Sequence, residues 1–181
     1  LPGGVLRFVP FPDMSVGVAD NFMYIVTDSH GAVSTAMVSI EVTPVNDAPF
    51  ANPDTAVTLE DIPTVINVLA NDGDVDNDLL KVTSVDVPEG FPAVINWATN
   101  GSITIQPDAN YHSIVPQVFT YTLSDGFLSD IGQVNLQVIS LNDAPVAVND
   151  LGYQVNEDST VSIPVLDNDS DIDNDTIQLA A

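Results

Sequence analysis

The chain has 181 residues, of which 26 are Asp or Glu and only 2 are Lys or Arg, so its formal charge at pH 7 is −24. This charge repels the phosphate backbone of nucleic acids, and no apolar run reaches the ~18 residues of a membrane-spanning helix, so we expect no nucleic-acid partner and no direct membrane insertion. Apolar residues make up 45% of the chain and cysteine is absent, so a packed core is possible while disulfides and thiolate metal sites are excluded.

Alternating apolar and polar residues predict β-strands along the whole chain, with the period of two expected of half-buried strands. In chain order the alternation appears in the segments 22–26, 38–42, 103–105, 119–123 and 134–138. Turn signals such as Asn71-Asp72-Gly73 and Asp125-Gly126 separate these runs, and no segment has a helical stripe of useful length. About seven short strands in each unit predict an all-β fold, a Greek-key β-sandwich.

The sequence is an internal repeat with a unit of 96 or 97 residues. Asn46-Asp47-Ala48-Pro49 recurs as Asn142-Asp143-Ala144-Pro145, and Glu60-Asp61 recurs as Glu157-Asp158. The strand around Tyr24 recurs around Tyr121, each followed by Asp as Thr27-Asp28 and Ser124-Asp125. The chain is therefore predicted to hold tandem copies of one domain.

Division at the Ala-Pro pairs predicts three parts: residues 1–49 are the back of one unit, 50–145 are a complete unit, and 146–181 are the front of a third. Neither end part is expected to fold alone, because each has too few strands to bury a core. We expect the chain to be a stretch of a longer polymer of repeats. The alternative is a self-polymerising sheath or fibre subunit, in which the end parts of different molecules complete one another by strand exchange.

Two acidic ladders repeat with the same period. Carboxylates stand at alternate positions in each ladder: Asp72, Asp74, Asp76 and Asp78, and again Asp169, Asp171, Asp173 and Asp175. Two charges ~4 Å apart repel by about 1 kcal/mol in water and about 4 kcal/mol at an effective dielectric of 20, and a hard divalent cation reverses this term. Calcium takes 6 to 8 oxygen ligands in irregular geometry, so the ladders predict calcium sites. The preference of Asp and Asn for turns explains single Asp residues, but it does not explain a ladder of four Asp that recurs 97 residues later.

These motifs resemble the cadherin repeat, and most closely the bacterial cadherin-like (Ig-like) tandem domains of large surface adhesins. The resemblance rests on the Asn-Asp-Ala-Pro linkers, the Asp74-x-Asp76 loop, the early Glu60 and the segment Tyr121 to Gly126, and it extends over nearly the whole chain. It implies that calcium lies between successive domains. Carried over by position, the first junction would use Asn46, Asp47, Asp74, Asp76 and Asp125. The second would use Glu60, Asp108, Asn142, Asp143, Asp171 and Asp173.

The remaining ladder carboxylates and Glu157, the repeat of Glu60, are further candidate metal ligands, with Asp61 and Asp158 as second choices. The linkers depart from the family pattern, because Pro44 and Ser140 stand where the resemblance expects Asp. The number of ions per junction is therefore left open, and a local site within the 72–78 loop is an alternative.

Catalysis is not expected, because two histidines, one lysine and one arginine supply little material for a nucleophile and base. The resemblance implies a structural repeat of an extracellular bacterial adhesin or surface filament, which binds neighbouring repeats head-to-tail and mediates adhesion to cells, surfaces or matrix polysaccharide. An alternative is a carbohydrate-binding module of a secreted polysaccharide-degrading enzyme, with Trp97, Tyr111 and Phe91 as a stacking platform. A third interpretation is that the acidity is an adaptation to high salt. The acidic residues argue against it, because 22 of them are Asp and they are concentrated in loops.

Overall fold

A computed structural model of the protein describes residues 4–14 and 17–180. The first part of the chain contributes a single β-hairpin, in which β1 (Val18–Thr27) pairs antiparallel with β2 (Val33–Val42). The turn between them is closed by the Asp28 carboxylate, whose Oδ1 accepts from the backbone N–H groups of His30 at 2.9 Å and Ala32 at 2.8 Å. Residues 1–3, 15, 16 and 181, which fall in the predicted end parts, lie outside the described residues.

Seven strands follow in the middle of the chain and form a two-sheet sandwich. They are β3 (Asp54–Leu59), β4 (Thr64–Asn67), β5 (Lys81–Asp86), β6 (Ala93–Trp97), β7 (Ser102–Pro107), β8 (Gln117–Ser124) and β9 (Ser129–Ile139), with a 3₁₀ turn at Val68–Ala70. One sheet has the order β3-β9-β8-β5 and the other the order β4-β7-β6. The first and last strands, β3 and β9, are parallel, whereas the other pairs are antiparallel. The predicted all-β sandwich is confirmed.

The core lies between the two sheets and is built from the inward positions of the alternating strands. On β8 every second residue is buried, at Phe119, Tyr121 and Leu123, and β9 repeats the pattern at 134, 136 and 138. Phe91 from the loop before β6 packs edge-to-face on Phe119, with ring centroids 5.6 Å apart. The period of two in the sequence thus corresponds directly to the buried face.

Tyr121 needs a glycine on the neighbouring strand. It pairs with Gly132 across β8 and β9, and its ring lies so close that a Cβ at position 132 would fall 2.1 Å from the ring Cζ. The ring therefore crosses the space that a side chain would fill, and its hydroxyl reaches Asp54 and Asp72. Only glycine permits this close approach.

The third part of the chain has turns and one isolated bridge between Val146 and Ser170, and none of the described residues 140–180 lies in a strand. Its apolar side chains are largely exposed, with Leu151 84% and Leu179 71% accessible. This segment lacks the partner strands against which its counterpart, residues 50–83, packs in the middle domain.

Candidate metal centre

The acidic loops owe their shape to their own side chains. In the first loop, Oδ1 of Asp74 accepts from the backbone N–H groups of Asp76 at 2.8 Å and Asp78 at 3.4 Å. Asn77 lies in the left-handed region with φ +61°, which Asn tolerates better than most residues. The Asp and Asn side chains therefore close a local turn without help from a sheet.

The second loop repeats this geometry 97 residues later. Oδ1 of Asp171 accepts from the N–H groups of Asp173 at 3.0 Å and Asp175 at 3.2 Å, and Asn174 has φ +62°. The first loop belongs to a complete sandwich and the second to a segment without strands, so the loop conformation is locally determined.

Each loop is tied to the linker that precedes it. The backbone N–H of Asp47 donates to Oδ2 of Asp76 at 2.8 Å, and that of Asp143 donates to Oδ2 of Asp173 at 2.7 Å. Short antiparallel bridges, Phe50 to Gly73 and Val146 to Ser170, hold linker and loop together. The predicted linker and loop residues therefore converge at both junctions.

At the first junction a buried carboxylate from the β8–β9 turn joins the linker. Asp125 is 9% exposed, and its Oδ1 accepts from the N–H groups of Phe127 at 2.6 Å and Leu128 at 2.7 Å. Its Oδ2 accepts from Asn46 Nδ2 at 2.9 Å. These donors, the Asn46 amide first, lower the pKa of Asp125 and keep it ionised.

At the second junction three carboxylates from three different segments meet. Oxygens of Glu60, Asp143 and Asp173 lie within 4.8 Å of one another. Glu60 directly follows the last residue of β3 and is 1% exposed. Its backbone N–H donates to Ile139 O at 2.9 Å, and its Oε1 accepts from Leu141 N at 2.7 Å. The middle domain, the linker and the third unit each supply one acid.

The charge at the second junction is concentrated enough to alter protonation. Burial raises the pKa of Asp143, and the carboxylates around it raise it further; these are Asp173, Asp61, Glu60 and Asp171. A carboxyl group that is desolvated beside several others resists ionisation unless a positive charge compensates. The junction therefore carries an excess of negative charge that a cation would neutralise.

One oxygen in each junction is left without a partner. Among the described residues, Asp74 Oδ2 and Asp143 Oδ2 are buried and accept no hydrogen bond. A buried polar atom without a partner is costly, and such atoms commonly mark the place of a bound ion or water. The residues at these junctions offer carboxylate, amide and backbone oxygens as metal ligands. These ligands fit a hard cation such as calcium better than zinc, which prefers His and Cys.

Other predicted ligands lie apart from these oxygen clusters. Both oxygens of Asp72 are used inside the domain, where Oδ1 accepts from Asn52 N at 2.8 Å and Oδ2 from the Tyr121 hydroxyl at 2.9 Å. Asp169 similarly accepts from Val148 N at 2.8 Å. Asp169 is half-buried, and the remaining candidates are exposed: Asp78, Asp108, Asn142, Glu157, Asp158 and Asp175. Of these, Asn142 makes a contact within the linker itself, where its Nδ2 donates to Asp143 O at 2.8 Å.

Two contacts were not foreseen from the sequence. His112 Nδ1 lies 3.5 Å from Glu60 Oε2, although nothing in the repeat singles out this histidine.

The Tyr121 hydroxyl lies 3.1 Å from Asp54 Oδ2 as well as 2.9 Å from Asp72 Oδ2, and a single hydroxyl proton serves only one of them. Burial raises the pKa of Asp54 to about 6, so one carboxyl of this pair is easily protonated. In the sequence, only the position of Asp54 directly after Pro53, at the start of β3, could have indicated that its side chain points inward.

The three aromatic residues of the predicted stacking platform are divided between the core and the surface. Phe91 and Tyr111 are partly buried and pack against the core, whereas Trp97, at the end of β6, is 41% exposed. His30 lies in an exposed turn, with its Nδ1 3.3 Å from Ser29 Oγ.

Comparison with known families agrees with this architecture. The sequence profile of the bacterial Ig domain family matches residues 46–137 and 142–181, which together are well over half of the chain. The chain belongs to the bacterial Ig domain family. The second matched segment begins at Asn142 of the linker, next to the acidic cluster described above. No curated protein matches the chain.

Solved structures place this bacterial Ig chain among cadherin folds. The extracellular cadherin domains 1–5 of protocadherin gamma B2 superpose with a TM-score of 0.57 at 19% identity, covering 88% of this chain and 32% of that one. Human protocadherin-24 domains EC1-2 give 0.44 at 22% identity (58% and 50% covered), and an endo-fucoidan hydrolase of glycoside hydrolase family 107 gives 0.37 at 21% identity (72% and 21% covered). The chain thus spans about a third of the protocadherin gamma B2 structure. At 19% identity, the likeness to the protocadherin gamma B2 structure shows the fold alone.

The family also bears on where the protein is found. Bacterial Ig domains are usually extracellular modules. Within the described part of the chain, no helix has the length and apolar character needed to cross a membrane.

Proposed function

We propose that the chain is a calcium-binding structural repeat, an extender, of an extracellular bacterial adhesin or surface filament. Its role is to hold domains in a row, with calcium at each junction restricting the motion of one domain relative to the next. The partners are the neighbouring repeats, bound head-to-tail, and the role is not catalytic.

The observation that carries the proposal is the cluster of Glu60, Asp143 and Asp173 oxygens within 4.8 Å. Because these residues belong to the middle domain, the linker and the third unit, one cation at this place would cross-link three segments. Without it, the same carboxylates repel one another and separate the units. The buried, unpartnered Oδ2 of Asp143 supports the same interpretation.

Calcium binding would stabilise the chain as well as stiffen it. Extracellular modules bind calcium with dissociation constants of ~10⁻⁴ to 10⁻³ M. At 100 times the dissociation constant, one site adds about 2.7 kcal/mol to the free energy of unfolding, a sizeable part of the ~5 to 15 kcal/mol of a typical domain.

The test combines calorimetric titration of calcium with thermal unfolding and small-angle scattering, in calcium and in excess chelator at fixed ionic strength. We expect a higher melting temperature and a longer, stiffer particle in calcium. Glu60→Gln should weaken binding at the second junction. Its matched control is Glu157→Gln, which changes the same repeat position where the side chain is exposed. An unchanged titration in Glu60→Gln, or equal losses in both variants, would contradict the proposal.

A further inference from the structure

A small network of hydrogen bonds centres on Asp72, the first residue of the acidic ladder in the middle domain. Oδ1 of Asp72 accepts from the backbone N–H of Asn52 at 2.8 Å, and Oδ2 accepts from the Tyr121 hydroxyl at 2.9 Å. Asn52 lies between the linker and β3, whereas Tyr121 lies on β8. One carboxylate therefore connects the linker side, the acidic loop and the core, and we call these three residues the Asp72 network.

The segment after the linker lies along the start of the acidic loop. Phe50 and Gly73 exchange two backbone hydrogen bonds, of 2.8 and 3.1 Å. The third part of the chain has the corresponding bridge, and there Asp169, the repeat of Asp72, accepts from the N–H of Val148 at 2.8 Å. Linker and loop therefore form one local unit in both copies.

Tyr121 attaches this unit to the core of the middle domain. The tyrosine is 1% exposed, and its ring occupies the space above the bare backbone of Gly132, so the packing determines where its hydroxyl lies. Asp125, the flanking carboxylate of the first junction, directly follows β8, the strand that carries Tyr121. The hydrogen bond from Tyr121 to Asp72 therefore sets where the acidic loop lies relative to Asp125.

The oxygens of Asp72 differ from those of Asp74 in their partners. Both oxygens of Asp72 accept a hydrogen bond inside the domain, whereas Asp74 Oδ2 is buried and has no partner among the described residues. A cation can take an oxygen that has no donor without breaking a hydrogen bond. The contacts therefore favour Asp74 as the ligand and give Asp72 a different role.

We propose that Asp72 and Tyr121 are positioning residues of the first calcium junction, which hold the linker and the acidic loop at the distance from Asp125 that a shared cation requires. This inference rests on the proposed function and adds the core of the domain to it. The loop and the linker form locally, but their place beside Asp125 requires the folded strands β8 and β9. Calcium affinity at this junction therefore depends on a hydroxyl that does not touch the cation.

A ligand role for Asp72 predicts the opposite response. If Oδ2 of Asp72 bound the cation, the Tyr121 hydroxyl would compete for that oxygen, and its removal would raise the calcium affinity. If Asp72 and Tyr121 position the loop, removal of the hydroxyl lowers the affinity. Tyr121→Phe separates the two roles by the sign of its effect, because it keeps the ring above Gly132 and removes only the hydroxyl.

The test is calorimetric titration of calcium into the full 181-residue chain, with the second junction disabled by Asp171→Asn and Asp173→Asn so that the heat reports on the first junction. Adding Tyr121→Phe should lower the affinity about fivefold, the factor that corresponds to one net hydrogen bond. Unchanged or higher affinity would overturn the proposal. The matched control is Tyr111→Phe, which removes the hydroxyl of another tyrosine packed against the core and should leave the affinity unchanged. An equal loss in this control would also overturn it.

The reciprocal background shows whether the effect is confined to one junction. In a chain with Asp74→Asn and Asp76→Asn the titration reports on the second junction, where Tyr121→Phe should leave the affinity unchanged. A loss of the same size there would contradict the proposal.

The melting temperature of the middle domain separates positioning from a merely structural role. A hydroxyl that only stabilised the fold would lower the melting temperature equally in calcium and in chelator when it is removed. Loss of a positioning hydroxyl lowers it more in calcium, because the folded form then binds calcium less tightly. Equal losses in the two conditions would contradict the positioning role.

Amide hydrogen exchange in chelator tests the Asp72 network without calcium. The Asn52 N–H, which donates to Asp72, should exchange faster in Tyr121→Phe, while the amides that pair β4 with β7 in the opposite sheet keep their rates. Equal rates at Asn52 in wild type and variant would overturn the proposal. A wild-type chain that binds no calcium would refute the proposed function, and the exchange rates would still decide whether Tyr121 holds Asp72. Calcium binding that Tyr121→Phe leaves unchanged would refute the positioning role alone.

Discussion

Within the described residues, the two junctions share a loop and a linker, and the middle domain supplies a flanking carboxylate to each. Both have the hydrogen bonds within the Asp ladder and the linker N–H bound to the second Asp of the Asp-x-Asp pair. The first adds Asp125 from the domain after the linker, whereas the second adds Glu60 from the domain before it. The comparison separates what a short sequence encodes, the loop, from what requires a folded domain, the flanking carboxylate.

The largest expected effect comes from removing one ladder at a time. Asp74→Asn with Asp76→Asn should weaken calcium binding at the first junction, and Asp171→Asn with Asp173→Asn at the second, each by at least about tenfold in affinity. Calorimetric titration should show the stoichiometry fall by the sites of a single junction in each case. If either double variant emptied both junctions, the sites would be coupled and the comparison would fail.

A narrower change at the flank tests the first junction alone. Asp125→Asn keeps an oxygen to cap the Phe127 and Leu128 N–H groups but removes the charge that faces Asn46. We expect a several-fold loss of calcium affinity at the first junction, with the second unchanged. Titration of the single variant and of its combination with Glu60→Gln should give additive free-energy changes, because the two sites share no residue.

The two carboxyl groups at the Tyr121 hydroxyl, Asp54 and Asp72, predict that the stability of the middle domain depends on pH. Because the folded-state pKa of Asp54 is raised from 3.8 to about 6, its protonated form is favoured by folding. The stability it contributes is complete below about pH 4 and is lost as the pH rises through 6. In chelator, the melting temperature should fall over this range, and Asp54→Asn should flatten the fall. If Asp54→Asn left the slope of melting temperature against pH unchanged, the pH dependence would come from the junction carboxylates.

The smallest effect is expected at His112. Its ring is about half exposed and lies 3.5 Å from Glu60, so the pair is a partly solvated one. His112→Gln should change the free energy of unfolding by less than about 1 kcal/mol, measured by urea unfolding in chelator. If His112→Gln lowered the free energy of unfolding as much as Glu60→Gln does, the histidine would have to position the Glu60 carboxylate.

The sequence predicted the sandwich and the local parts of the junctions well, because both depend on short-range patterns. Alternation placed Phe119, Tyr121 and Leu123 on one face, and the Asp ladder indicated its own turns. The sequence could not separate Glu60 from Glu157, which stand at one repeat position but differ in exposure because only Glu60 lies beside a completed β9. Nor could it show that Asp72 bonds Tyr121, since that contact depends on the bare backbone of Gly132 in a distant strand.

The parallel pairing of β3 and β9 has a mechanical consequence. The chain enters the sandwich at the start of β3 and leaves at the end of β9, and the pairs run from Asp54 with Val134 to Leu59 with Ile139. Tension applied through the two linkers pulls these neighbours in opposite directions along their length. The hydrogen bonds between them are then loaded together in shear and cannot be unzipped one at a time, so unfolding under load requires a concerted rupture. A row of such domains would therefore resist extension under tension.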